Sequence, residues 1–250
     1  MTSDPDLART RGLFVAEGRL VVRRLVEGRR FRIQSLLLKK AAAVELEPVL
    51  RALDPGVPVY VGPVGQFRDV TGFNIHRGCL ALAERPEPLR LDAALEGARL
   101  VLVLEGVANP DNVGGAFRNA AAFGADAVVL SSTCSDPLYR KAIRTSMGAV
   151  LQMPFVVVGD LPAALTKMAN GFTLVALTPN PSADSLDEAT LQTIERMAVL
   201  AGNEGDGLSP AALRSAHRRI RIPIRPEVDS LNLAVAIGIV LSRLTQFQRH

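Results

Sequence analysis

The stretch Arg99–Leu130, "RLVLVLEGVANPDNVGGAFRNAAAFGADAVVL", sets two all-apolar runs of strand length on either side of a segment with helical periodicity. Asn109 suits an N-cap, Pro110 the first helical position, whose N–H is orphaned anyway, and Asp111 a first turn where the helix dipole favours negative charge. At about 100° per residue, Val113, Ala116, Phe117, Ala120 and Phe123 share one apolar face, and Asn112, Gly115, Arg118, Asn119 and Ala122 share the other. The first face is core. The second is a flat floor of Gly and Ala carrying two amides and a guanidinium, which another group can approach closely. A solvated helix face with an arginine on it explains this stretch equally well.

Beyond it, "PFVVV", "FTLVAL" and "MAVLAG" repeat the theme of short apolar strands separated by helix-like segments. That alternation predicts an α/β fold with a parallel sheet covered on both faces, over residues 99–250. Before it, residues 13–85 read as a smaller α/β unit. "GLFVAEGRLVVRRLVEG" gives a turn and an amphipathic helix, "RIQSLLL" a strand, "VELEPVLRAL" a helix, and "VPVYVG" and "GCLALAE" two more strands. Residues 86–98, with Pro86 and Pro88, read as a linker, and residues 1–12 as a flexible, polar N-terminus. "TPNPSADSLDEATL" reads as a loop leading to a short helix.

With 48% hydrophobic residues the chain has ample material for a core, but only 4% are aromatic and there is no Trp, which argues against an aromatic base-stacking platform. "LNLAVAIGIVLSRL" contains Asn232 and is too short to span a bilayer; no charged-then-apolar segment opens the chain, so a cytoplasmic protein without a membrane partner is expected. Cys79, Cys134, His76, His217 and His250 show no metal-ligand spacing, so no metal is expected and each cysteine is read as a buried thiol. Residues 1–90 carry 15 Lys and Arg against 10 Asp and Glu, and residues 91–250 carry 14 against 15. The excess centres on "GRLVVRRLVEGRRFRIQSLLLKK", where Arg23, Arg24, Arg29 and Arg30 form either a solvated basic face or a surface that tracks phosphates.

In parallel α/β sheets ligands sit beyond the carboxyl ends of strands. Three such ends are polar or glycine-rich: "EGVANPDN", "AGNEGDGLS" and "RIPIRPEVDSLN". The dinucleotide GxGxxG, the GxxxxGK[ST] phosphate loop, the GxSxG elbow and HExxH are all missing.

In order, "NPDNVGGAFRNAAAFGADAVVL", "DPLYRKAIRTSMGAVLQMPF", "VLAGNEGDGLS" and "IPIRPEVDSLNLAVAIG" closely resemble the motifs of the SpoU (TrmH-like) class of SPOUT RNA methyltransferases, over about residues 99–245. "FVAEGRLVVRRLVEG" and "GFNIHRGCLALAE" are similar to the ribosomal-protein-like RNA-substrate-binding domain that many members carry in front. The resemblance implies a deep trefoil knot, a homodimer, and S-adenosylmethionine held by Gly202, Ile222 and Leu231 with Asn203 and Leu233 nearby. It implies methyl transfer to a ribose 2′-hydroxyl, in rRNA in preference to tRNA because tRNA-specific relatives more often lack the front domain. By motif position the active-site residues are Asn112, Arg118, Glu204, Ser230 and Asn232, with Arg144 a further cation for the substrate. A ribose hydroxyl is a poor nucleophile without a metal, and a guanidinium is better suited to stabilise the attacking oxygen than to take its proton. A tRNA methyltransferase and a ribosome-associated RNA-binding factor without turnover are the alternatives.

Overall fold

The computed structural model describes residues 11–63, 78–187, 191, 194–225 and 227–246. In chain order the first elements are β1 (Leu13–Glu17), α1 (Arg19–Gly28), β2 (Ile33–Leu38), α2 (Lys40–Leu50), β3 (Val59–Val61), β4 (Cys79–Glu84), α3 (Leu91–Leu95), β5 (Leu100–Leu104) and α4 (Pro110–Ala122). They continue with β6 (Ala127–Ser131), α5 (Arg140–Thr145), β7 (Phe155–Val158), α6 (Leu161–Ala169), β8 (Thr173–Leu177) and β9 (Asp184–Ser185). The last are β10 (Met197–Ala201), α7 (Pro210–Ser215), β11 (Arg218–Arg221) and α8 (Leu233–Gln246). The described residues group into two compact units, one formed by those up to 87 together with 136–152, the other by 88–135 together with those from 153 onward.

The first unit carries a sheet of order β1-β4-β2-β3, in which β4 is antiparallel to β1 and β2 while β2 and β3 run parallel. Leu13–Glu17, expected as a lead-in turn, is a full strand. Phe14, Val15 and Ala16 are buried and pair along β4, and Gly18, at φ 109°, makes the sharp turn into α1. Val21, Val22, Leu25 and Val26 form the buried stripe of α1, and the Phe14 and Phe31 rings meet edge to face at 5.1 Å. The stretch "DPLYRKAIRTSMGAVLQ", read from sequence as part of the catalytic domain, belongs to this unit. Its helix α5 packs on β1, and Arg24 Nη1 donates to the Met147 carbonyl at 2.7 Å. The expected boundary at residue 85 thus captures only part of the unit, because chain order cannot show that Ala142 and Ile143 bury against elements far upstream. His76 and most of the "GFNIH" stretch lie outside the described residues.

The second unit is a seven-stranded sheet of order β7-β6-β5-β10-β8-β11-β9, parallel throughout. β9 was not anticipated, and of β11 only the polar carboxyl end was read from sequence. Three arginines in Arg218–Arg221 mask the single fully buried residue, Ile220, and β9 is two residues long. The stretch expected to be a linker contains α3, whose Ala94, with Ala98 just beyond, packs into the core beneath the sheet alongside Leu161, Leu165 and Met168 of α6. Phe117 of α4 is fully buried and meets Phe155 edge to face at 5.7 Å. Burial of each such Leu or Phe contributes about 1.5–3 kcal/mol of transfer free energy. Chain order along the sheet reverses between β5 and β10, which makes the crevice at their carboxyl ends the topological switch point.

Candidate active site

The loop after β10 is folded by its own side chains. Asn203 Oδ1 accepts from the backbone N–H of Gly205 (2.8 Å) and Asp206 (2.7 Å), and Asn203 pairs as an isolated bridge with Gly207, which sits at φ 69°. This curl brings the Gly207–Leu208 peptide onto Gly202 so closely that a Cβ there would lie 2.1 Å from the Gly207 carbonyl carbon. The far end of the loop is fixed across the switch point, where Glu105 Oε2 accepts from Ser209 N at 2.8 Å. Ser209 then caps α7 through Ala212 N. Glu105 was not singled out from sequence; its signal was a carboxylate at a strand end directly before a glycine, Gly106 at φ 66°.

Against this loop opens a cleft of about 1040 Å³ at the carboxyl ends of β8, β10 and β11. Of the residues proposed from sequence, Gly202, Asn203, Glu204, Ile222, Ser230, Leu231 and Leu233 all line it. Its walls mix apolar side chains, among them Leu177, Ile222 and Leu231, with exposed loop backbone, the usual makeup of a small-molecule site.

Asn112, Arg118 and Asn232 are not part of that lining. Asn112 is buried in the first turn of α4 and its Oδ1 accepts from Asn232 Nδ2 at 2.9 Å; Asn232 in turn caps α8, its Oδ1 accepting from Val235 N at 3.3 Å. The two amides therefore tie the N-termini of α4 and α8 together. Asn119 continues the seam by donating Nδ2 to the Ala234 carbonyl, and Gly115 lies so near Ala234 that an added Cβ would come within 2.6 Å of the Ala234 methyl. The flat floor on α4, read from sequence as a place for a ligand, is mostly a packing surface for α8. Small residues let two backbones approach closely, and periodicity alone does not reveal which partner takes the space. Arg118 is the exception: it is exposed, with no side-chain hydrogen bond or ion pair among the described residues, and none to Glu204.

In the other unit, the basic residues of the sequence patch divide. Arg24 is committed to Met147, Arg29 ends α1 in a left-handed conformation at φ 48°, Arg30 lies 5.7 Å from the Phe31 ring centroid, and Arg144 is exposed in the last turn of α5. Arg24→Ala is expected to lower stability by about 1–3 kcal/mol because the Met147 carbonyl, itself at a positive φ of 53°, loses its donor; a denaturant titration measures this. Cys79 is buried, and burial pushes its thiol up to about 12. Cys134 is only partly buried; its Sγ accepts from Val107 N and donates to the Leu104 carbonyl, both at 3.3 Å. Among the described residues no group of His, Cys, Asp and Glu is placed to hold a metal, and no helix is long and apolar enough to cross a membrane.

A parallel sheet with a cleft at the carboxyl ends of three neighbouring strands, walled by a glycine-rich loop and followed by a helix that doubles back onto α4, is an α/β architecture that uses neither a dinucleotide fingerprint nor a phosphate loop. Residues 99–242 match the model of the SpoU rRNA methylase family, and the chain belongs to that family of RNA methyltransferases. An uncharacterized tRNA/rRNA methyltransferase of Mycobacterium bovis is 42% identical over 249 residues, 98% of this chain and 85% of the relative. The fold is that of an AdoMet-bound rRNA methyltransferase from Sinorhizobium meliloti (TM-score 0.79, 26% identical, 98% of this chain and 91% of that one). It is also that of an RNA 2′-O ribose methyltransferase (TM-score 0.77, 26% identical, 96% and 91%).

Proposed function

We propose that this protein transfers a methyl group from S-adenosylmethionine to a ribose 2′-hydroxyl of ribosomal RNA, acting in the cytoplasm as a homodimer. The observation that carries the reading is the convergence of Gly202, Ile222, Leu231 and Leu233 with Glu204 and Ser230 on one cleft. Those residues fit the cofactor: the volume suits an adenosine with a short chain, Ile222 and Leu231 offer apolar surface to the base, and the bare Gly202 lets loop backbone come against it. When bound, S-adenosylmethionine supplies an electrophilic methyl on a sulfonium.

The chain does the rest. Arg118, free on the exposed side of α4, stabilises the negative charge that grows on the ribose oxygen, and the proton leaves to water or a substrate phosphate. Glu204 and Ser230 orient the ribose from the cleft, and the Asn112–Asn232 pair holds the two helices that present these groups. In this reading the C-terminal part of the chain forms the trefoil knot that fixes the cleft.

Ribosomal RNA is favoured because the chain carries a separate front unit with an excess of basic residues, a surface suited to RNA phosphates; similarity over 98% of the chain to an rRNA enzyme supports this. Replacing Arg23, Arg29, Arg30 and Arg144 together by Ala is expected to weaken RNA binding and flatten its salt dependence, with S-adenosylmethionine affinity unchanged. An unaltered salt slope in filter binding would show a merely solvated patch. Arg24 is kept in that variant because it holds the fold.

For the dimer, Val235 and Ile239 stand 51% and 37% exposed on α8 beside Asn119 and Phe123, an apolar stripe that a second copy would cover. Changing both to Glu is expected to shift sedimentation to the monomer and remove most activity; a dimer that survives the change excludes this face.

The direct test is incubation with radiolabelled S-adenosylmethionine and separated rRNA and tRNA, followed by alkaline hydrolysis. A methylated 2′-oxygen cannot attack its phosphate, so label must appear in alkali-resistant dinucleotides from rRNA. Label in mononucleotides means base methylation, label in tRNA alone supports the other substrate, and binding without label leaves an RNA-binding factor.

A further inference from the structure

We infer that Arg221 is the anchor for the carboxylate of the cofactor's methionine portion. This rests on the cleft being the S-adenosylmethionine site.

Arg221 is the last residue of β11, at the carboxyl end of a parallel strand where ligands of such sheets bind, and its side chain lines the cleft. Strand alternation sets it opposite Ile220, which is fully buried in the core, and on the same side as Arg219, whose Nη2 donates to the Leu213 carbonyl of α7 at 3.0 Å. Leu213 lines the same cleft, so Arg221 emerges between α7 and the loop after β8. The two neighbouring arginines are treated differently. Arg219 spends its charge on backbone at the rim, whereas among the described residues Arg221 makes no side-chain hydrogen bond or ion pair and its buried Nε has no hydrogen-bond partner.

A guanidinium nitrogen removed from water without an acceptor is costly, and a ligand, ion or water is needed to complete it; Arg85 Nη1 is in the same position, but its guanidinium is already paired with Asp136, whereas that of Arg221 is not. Among the described residues the cleft offers three carboxylates, Glu204, Asp206 and Asp229, yet none pairs with Arg221. The remaining cation of the cleft, Arg225, is exposed and carries no buried, unpartnered nitrogen. S-adenosylmethionine has one anionic group, and a planar guanidinium fork takes a carboxylate through two parallel hydrogen bonds. Arg221 therefore fixes the direction in which the methionine chain lies, and with it the direction in which the sulfonium methyl faces.

The test compares S-adenosylmethionine with its decarboxylated form, which keeps adenosine, sulfonium and amine and lacks only the carboxylate. By titration calorimetry without RNA, the wild-type protein is expected to bind S-adenosylmethionine about tenfold or more tighter than the decarboxylated form, the scale of one charge-assisted pair. Arg221→Gln should bring that ratio within about twofold by weakening S-adenosylmethionine alone, and Arg221→Lys should recover only part of it. A wild-type ratio near one overturns the assignment without any variant, so misfolding of Arg221→Gln does not shelter it. Equal weakening of both ligands in Arg221→Gln marks a structural role and overturns it. A retained ratio with weakened RNA binding assigns the guanidinium to an RNA phosphate and overturns it too. Failure of both ligands to bind the wild-type protein sinks the cofactor site itself, whereas tight binding of both without discrimination sinks only Arg221.

Discussion

Gly202→Ala is expected to lose at least about a hundredfold in affinity for S-adenosylmethionine, some 2.7 kcal/mol, and methyl transfer with it. The added Cβ would sit 2.1 Å from the Gly207 carbonyl carbon, 2.2 Å from its oxygen and 2.4 Å from Leu208 N. All three are backbone atoms, so no side chain can rotate away. The loop must open, against the two Asn203 hydrogen bonds, the Asn203–Gly207 bridge and the Glu105–Ser209 tether that close it. Overpacking of this kind costs about 1–3 kcal/mol or more, and here the strained element is the wall of the cleft, so the damage falls on binding before it falls on the sheet. Gly205→Ala is the control: its Cβ would meet only Asn203 Oδ1 at 3.5 Å, and affinity should stay within about twofold. Calorimetry of cofactor binding with a parallel thermal melt measures both. Affinity within threefold of wild type for Gly202→Ala would mean that the loop is not the cofactor's cradle.

The contrast between these two glycines shows how far the sequence could be read. "GNEGDG" announced a turn, and its place after an apolar strand announced a ligand end, but nothing in the letters distinguished Gly202, pressed against backbone, from Gly205, which has room. The parallel sheet was legible because strands buried on both faces are apolar without interruption, as in β5, β6 and β10. β11 was not, since its burial is confined to Ile220 among arginines. The cleft residues were legible through motif order, while the true neighbours of Asn119 and Gly115 were not. A helix face made of small residues looks the same whether it awaits a ribose or, as here, the α8 backbone. The placement of 136–152 with the first unit escaped for a related reason: that segment's amphipathic pattern shows that it buries Ala142 and Ile143, and not against what.

Arg118→Ala is expected to fold and bind S-adenosylmethionine as the wild type does, yet to transfer methyl groups about 10²–10³-fold more slowly, the scale of one preorganised donor to a developing oxyanion. The structure makes the first half of that expectation cheap to meet. Arg118 is exposed, holds no partner among the described residues and does not line the cofactor cleft, so its loss removes nothing from the free protein's packing. Its helix, by contrast, is rigidly placed: Phe117 beside it is fully buried, Asn119 is bonded to Ala234, and Asn112 one turn before the arginine's own turn is paired with Asn232. A solvated side chain on a fixed base is a reasonable carrier for a charge that must meet its target only when RNA arrives, because holding the base fixed limits the entropy lost on engagement. Arg118→Lys should recover little, since an ammonium keeps the charge and loses the planar fork. If Arg118 is instead an ordinary surface residue of α4, both substitutions will leave rate and stability nearly unchanged. Single-turnover methylation at saturating cofactor and RNA separates the cases by holding binding constant. A rate for Arg118→Ala within about threefold of wild type, a barrier change of only ~0.65 kcal/mol, would remove the residue from the chemistry and leave the stabilising charge to be sought elsewhere.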